Sequence, residues 1–450
     1  MPLTRRAALS AALASLSVVP GTGLAQPREG GVALRNARIF ADGRFTEPST
    51  LLISDGRVRA VAAGLSGLPE GVRGIDMAGH YIVPGMTSAH VHVGHAVGLE
   101  SGPQFYTRDT VEAQLQRYAA FGVTQVAALG MGPPLFHALR EESRAGRLRG
   151  ATLRGAGPGL GVTDGAPPAG PMRLADNQVL RPRDEAEVRS AVDRLAAAGI
   201  DQVKIWIEDA NGQLPMMSPE IVRAAVQAAH RHNLPVVAHV HDLSHARLAV
   251  SSGVDILGHG IRDEPVDEAL VAAMRQAGTR YIPTIQIDEA EYLYTDRPEL
   301  ADDAVFQAAT TPAFRSRMAD SGWRETQSRK GEQHRDAVRM NQRNLLTLHR
   351  AGVPVALGTD SGATPLRVQG FAEHRELALM VEAGLSPADV LRIATEGSAA
   401  LLGDTDRGVL RPGARADFAV LAADPLENIA NIGRIAAVWQ DGREVAGRLS

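Results

Sequence analysis

Val83-Pro84-Gly85-Met86-Thr87-Ser88-Ala89-His90-Val91-His92 is the stretch on which the reading of this chain turns. The apolar run Tyr81-Ile82-Val83 leads into it, and the period of two along a strand puts His90 and His92 on one face with Val91 on the other. Two imidazoles at a strand end offer half of a coordination shell for a divalent ion such as zinc, which binds neutral imidazole nitrogen at about 2.0–2.1 Å. A His-x-His pair alone fits a polar strand edge equally well. The remaining ligands must come from elsewhere in the chain.

Composition narrows the field. A chain of 450 residues with 44% hydrophobic and 22% charged residues is an ordinary globular protein, long enough for one large domain and a smaller one. A formal net charge of −4 gives no pull toward nucleic acid or an anionic membrane, so function is expected at a site for a small molecule. The absence of cysteine excludes disulfides, thiol nucleophiles and Cys-type zinc sites, leaving His, Asp, Glu and Lys for metal chemistry. At the N-terminus, Thr4-Arg5-Arg6-Ala7-Ala8-Leu9, a short apolar run over 7–19 and Gly23-Leu24-Ala25 read as an export signal over 1–25, of the twin-arginine type, with an ordinary secretory signal as the alternative. The run is too short to span a bilayer, and the mature protein, beginning near Gln26, is expected in the periplasm or outside the cell.

Residues 32–82 read as strands and turns, with Asp55-Gly56 between alternating apolar residues as a hairpin signal. Residues 408–421 and 435–445 repeat the style, including a second turn at Asp441-Gly442. Short strands need partners, so 26–82 and 404–450 are expected to form one small β-sandwich domain, with 83–403 inserted between them. Within the insertion, apolar runs at 82–92, 123–129, 152–156, 202–207, 235–241, 254–259, 280–285 and 353–360 alternate with amphipathic segments such as 185–198 and 219–232. Eight such runs are the count for a (β/α)8 TIM barrel. An open doubly wound sheet is the alternative, weakened because no glycine-rich dinucleotide fingerprint follows the first strand. Two long connections, 157–171 and 288–329, follow the third and seventh strands and are candidate lids or surface elaborations.

The strong polar residues fall at strand ends: His90 and His92 on the first, Lys204 on the fourth, His239 and His241 on the fifth, His259 on the sixth, Asp360 on the eighth. A barrel gathers those ends at one mouth. As packing residues they make no joint sense, because a barrel core prefers Val, Ile and Leu, and a buried unpaired Lys or Asp costs several kcal/mol.

With these motifs in place, the sequence resembles the metal-dependent amidohydrolase superfamily, and within it the branch of imidazolonepropionase-like hydrolases and barrel-type Xaa-Pro and Xaa-Arg dipeptidases. The similarity covers nearly all of the mature chain: the split β domain, Pro-Gly-x-x-x-x-His-x-His, Val-Lys-Ile, Val-Ala-His-Val-His, Gly-His-Gly, and Gly-Thr-Asp-Ser-Gly at 358–362. The resemblance implies that His90 and His92 bind one metal with Asp360, that His239 and His259 bind a second, and that carboxylated Lys204 bridges them. It implies two zinc ions per chain, a bridging hydroxide attacking a scissile amide carbonyl, and Asp360 carrying the proton to the leaving amine. His241 and Tyr281 are candidate substrate contacts, His241 being alternatively a solvent-exposed loop residue. The chain departs from the family at Ser88, where an aspartate is common, and at Gly258, where a glutamate is common.

The expected activity is therefore hydrolysis of a peptide-like, N-acyl amino acid or cyclic amide bond, in a homo-oligomer. A mononuclear deaminase and a non-catalytic barrel scaffold are the rivals; metal content near two, one or zero per chain separates the three. Basic residues of the second insertion, Arg297, Arg315, Arg317, Arg324, Arg329 and Lys330, either meet a substrate carboxylate or form a solvated helix face.

Overall fold

The structure, a computed structural model, describes residues 30–63 and 67–447. The expected export signal at 1–25 lies outside the described residues. Among the described residues no helix is long and apolar enough to cross a membrane.

Both ends of the chain enter one nine-stranded sheet, in the order Arg443–Gly447, Ile435–Gln440, Phe418–Leu421, Tyr81–Pro84, Val32–Ala41, Ser49–Ser54, Arg57–Ala63, with Arg44–Phe45 and Arg73–Asp76 also paired to Val32–Ala41. The antiparallel register Phe418↔Pro84 to Leu421↔Tyr81 joins the late strands to the one that runs into the histidine motif. Both Asp-Gly steps turn as their sequence demands: Asp55 and Gly56 have φ of 51° and 72°, Asp441 and Gly442 of 47° and 71°, the positive pair a type I′ hairpin turn requires. Leu34, Ile39, Leu51, Phe418 and Trp439 form this sheet's own buried core, with the Phe418 and Trp439 rings stacked 5.5 Å apart.

The inserted segment is α/β. Its parallel strands form two sheets: Thr152–Gly155, Val123–Ala128 and Met86–Val91 in one, and Val179–Leu180, Gly159–Leu160, Val203–Trp206, Val236–His239, Ile256–Leu257 and Arg280–Tyr281 in the other. The eighth expected strand enters through single parallel bridges, Tyr281↔Val355 on one side and Val91↔Ser361 on the other. Burial on both faces explains why these strands read as unbroken apolar runs; all six residues of Val123–Ala128 are buried. Helices over Glu185–Ala197 and Pro219–Arg231 start where expected, at Asp184 and Ser218, whose side chains accept from the Glu187 and Ile221 amides.

Two expectations change. The connection after the third run is not simply a loop, because its residues Gly159–Leu160 enter the second sheet against Ile205 while Thr152–Gly155 stays in the first. The second insertion is a packed helical layer that passes into the long helix Ser321–Arg350, with Tyr294, Phe306, Phe314 and Phe371 clustered beneath it. Four of its basic residues have partners close by: Arg297 on Glu299, Arg329 on Glu325, Arg315 on the Thr310 carbonyl and Arg324 on the Thr295 carbonyl.

Candidate metal centre

Five imidazoles and a carboxylate converge where the parallel strands end. Ring centroids of His90 and His259 are 4.5 Å apart, those of His239 and His259 4.4 Å, and those of His239 and His241 4.4 Å. Asp360 Oδ1 lies 2.8 Å from His92 Nε2 and 3.2 Å from His90 Nε2. Two sets result, His90 with His92 and Asp360, and His239 with His241 and His259, each offering atoms within 4.8 Å of one another.

Hydrogen bonding selects the tautomers. His90 Nδ1 donates to the Gly258 carbonyl at 2.7 Å, so its neutral ring turns an Nε2 lone pair toward the Asp360 oxygen. Two acceptors then face each other at 3.2 Å, an arrangement that a cation resolves. A proton does not serve at neutral pH, because burial, aided by the Lys204 charge, holds the His90 pKa down to about 4. Burial likewise keeps His239 and His259 well below the usual imidazole range, and therefore in the form that ligates metal. His259 Nδ1 lies 3.0 Å from Thr284 Oγ1, a hydroxyl that fixes its ring. Burial would push the Asp360 carboxyl up, but Arg367, His92 and His90 outweigh it and hold the group well below the ordinary range.

Lys204 is buried with its Nζ unpartnered among the described residues. Burial pushes its pKa down to about 7, so much of the amine is neutral and nucleophilic near physiological pH. Its stem passes two glycines: a Cβ at Gly130 would stand 2.4 Å from the Trp206 ring and 3.2 Å from Lys204 Cγ, and one at Gly159 2.2 Å and 3.1 Å. The residues present fit divalent metal: neutral imidazoles in two sets and a carboxylate facing a lone pair, with an unpartnered lysine amine beside them.

The structure places His90, His92, Lys204, His239, His241, His259 and Asp360 in this one region. Tyr281 departs from expectation. It is fully buried, and its hydroxyl accepts from the Ile261 amide at 3.0 Å and donates to Asn341 Oδ1 at 3.2 Å. Ser88 does not replace the missing aspartate; its hydroxyl donates to the buried Glu373 at 3.2 Å, an acceptor shared with Thr359 and Ser361. At the other departure, Gly258 contributes the carbonyl that orients His90.

One acid escaped the sequence reading. Glu208 Oε2 lies 2.9 Å from His241 Nδ1 and 3.5 Å from His239 Nε2, and although burial raises its pKa, those two histidines outweigh it and hold it low. Alternation carries the signal, since Lys204, Trp206 and Glu208 are each two residues apart on one face. Arg262 also enters, 2.8 Å from His241 Nδ1 and 2.7 Å from Asp288 on the second insertion, tying that layer to the centre.

Residues 81–445 match the Amidohydrolase family. The ochratoxinase of Aspergillus niger is 25% identical, the match covering 91% of this chain and 85% of that protein. An uncharacterized protein of Mycobacterium tuberculosis is 26% identical over 83% of this chain and 86% of its own length. The crystal structure of a Xaa-Pro dipeptidase with methionine bound in its active site shares the fold at a TM-score of 0.72 and 21% identity, over 92% of this chain and 99% of that one.

Proposed function

The chain belongs to the amidohydrolase family, and from that premise we propose that it is a metal-dependent hydrolase of amide bonds in small peptide-like, N-acyl amino acid or cyclic amide substrates. The observation that carries this reading is the His90 lone pair facing the Asp360 carboxylate beside a second imidazole set and an unpartnered lysine amine. His90, His92 and Asp360 would hold one divalent ion, His239 and His259 a second, and carboxylated Lys204 would lie between them, with zinc the ion proposed at both. Such ions, when bound, polarise the scissile carbonyl and bring the acidity of water near neutrality. Asp360 takes the proton from water and delivers it to the leaving amine, which a carboxylate held in its anionic form is able to do. His241, with the Arg262 guanidinium 2.8 Å from its ring, would meet an anionic group of the substrate.

The same reading joins the two parallel sheets through the Tyr281–Val355 and Val91–Ser361 bridges into a (β/α)8 barrel over 83–403, and takes the continuous nine-stranded sheet of both chain ends as the family's β-sandwich domain. The fold shared with a Xaa-Pro dipeptidase makes dipeptides the first substrates to try.

The test is metal analysis of protein purified without chelator, followed by a screen of dipeptides, N-acyl amino acids and lactones. One to two zinc or similar ions per chain and chelator-sensitive hydrolysis support the proposal; full activity of metal-free protein refutes it. Glu208 beside His239 favours one rival, the mononuclear deaminase, which one ion per chain and release of ammonia from an aminated ring would establish.

A further inference from the structure

A third set of ligand-type side chains, Asp209, Asp242 and His245, shares no residue with the two central sets, and its ligand atoms also lie within 4.8 Å of one another. Asp209 follows the strand that carries Lys204, and Asp242 and His245 follow the one that carries His239. The His245 ring is buried, with 7% of its side chain exposed, and sits between the two carboxylates: Nε2 is 3.7 Å from Asp209 Oδ1 and Nδ1 is 3.8 Å from Asp242 Oδ2.

These separations are too long for hydrogen bonds, which run to about 3.2 Å. Only one ring nitrogen can serve a given ion, and one ligand atom from each of the three residues can be chosen so that all three lie within 4.8 Å of one another, the condition for meeting at a common ion. His245 Nδ1 is buried and has no hydrogen-bond partner among the described residues. The carboxylates are equally uncommitted. Asp242 is the N-cap of helix Leu243–Ser251, the position where an aspartate ordinarily accepts from the first turn, yet its side chain makes no cap bond. The Leu243 amide goes to Asp263 Oδ1 at 2.9 Å instead. Neither Asp209 nor Asp242 has an Arg or Lys within ion-pair distance among the described residues, and the nearby Arg262 is engaged by Asp288 and His241.

We propose that Asp209, Asp242 and His245 form a separate binding site for a divalent transition ion, zinc in the first instance, that clamps the loop after the Lys204 strand to the helix after the His239 strand. One imidazole with two carboxylates is a borderline donor set, fitting zinc or manganese rather than calcium, which takes oxygen ligands only. Three protein ligands leave room for water at the remaining position. The ion ties together the two loops that carry Glu208 and His241 and so holds the rim of the central site.

The proposal does not depend on the hydrolase reading and is tested apart from it. Zinc is titrated calorimetrically into full-length protein already carrying its central ions, with metal content and thermal melting followed in parallel. Wild type should take up one equivalent more than His245→Ala and Asp209→Asn, with the central content equal in all three, and zinc should raise the melting temperature of wild type alone. His90→Ala should keep the extra equivalent while losing central metal. Because the Asp209 carboxylate is partly exposed, Asp209→Asn keeps the fold should His245→Ala not. Equal zinc uptake by wild type and Asp209→Asn, or no uptake by wild type beyond the central ions, overturns the site.

Discussion

Thr284 holds a backbone φ of 44°, a left-handed conformation that β-branched residues rarely adopt, while its hydroxyl lies 3.0 Å from His259 Nδ1. Strain of this kind costs about 1–3 kcal/mol and persists where surrounding structure over-determines it. Thr284→Asn should therefore leave melting nearly unchanged, since asparagine tolerates this conformation. Loss of the hydroxyl that orients His259 should weaken metal binding about 10–100-fold, read by competition with a chelator. Lys204→Ala should lose one ion and most activity, with partial rescue by short carboxylic acids; a Lys204→Arg variant with normal metal content and activity would sink the carbamate. Asp360→Asn keeps an oxygen for the metal but cannot take the proton, so kcat should fall about 10²–10⁴-fold with little change in metal content. Retained kcat with weakened metal binding would instead make Asp360 a ligand only.

At the scale of elements, the third apolar run shows what a strand must give up to serve a site. The run pairs in one sheet, the connection just after it in the other, and Gly159 in that connection lets the Trp206 ring and the Lys204 stem pass where a Cβ would collide. No positive φ is required there, so the conflict is steric alone. Gly159→Ala should destabilise the protein by about 1–3 kcal/mol, the usual cost of overpacking, and should lower metal content because Lys204 is displaced. Trp206→Phe in the same chain should restore part of both, measured by denaturant melts and metal analysis; no coupling between the two substitutions would place the strain elsewhere.

Across the whole molecule, an ion cluster ties the start of the Lys204 strand to the neighbouring third run and to the return toward the terminal sheet. Asp201 accepts from Arg140 Nε and Nη2 at 2.7 Å and from Arg154 Nε at 3.2 Å, and Arg154 continues to Asp404 at 2.7 Å, where the chain turns back toward the terminal sheet. Burial raises the Asp201 pKa, but the arginines outweigh it and hold the carboxyl below its ordinary value. A carboxyl depressed in the folded state stabilises above its unfolded pKa of about 3.9, and that stability is lost as pH falls below it. Asp201→Asn should destabilise at pH 7, by less than the about 3–5 kcal/mol of a wholly unpaired buried charge, because buried Arg140 keeps only the exposed Glu141 carboxylate. The mutant's stability should also fall less steeply than wild type below about pH 4; parallel acid limbs would show that Asp201 does not carry the effect.

The sequence by itself determined the elements and the donor types. Alternation around Asp55-Gly56 and Asp441-Gly442, apolar runs buried on both faces, and histidines spaced by two are local patterns, set by backbone geometry and therefore readable in one dimension. Only the tertiary structure decided which donors meet and which are spent. Tyr281 is a site candidate until Ile261 and Asn341 take its hydroxyl, and alternation can put Glu208 on the Lys204 face but only folding brings it against His239 and His241. Contacts of this kind join residues far apart in the chain, and no local spacing encodes them. The same holds for the closing bridges at Val355 and Ser361, which form only once the rest of the chain has brought Tyr281 and Val91 to either side.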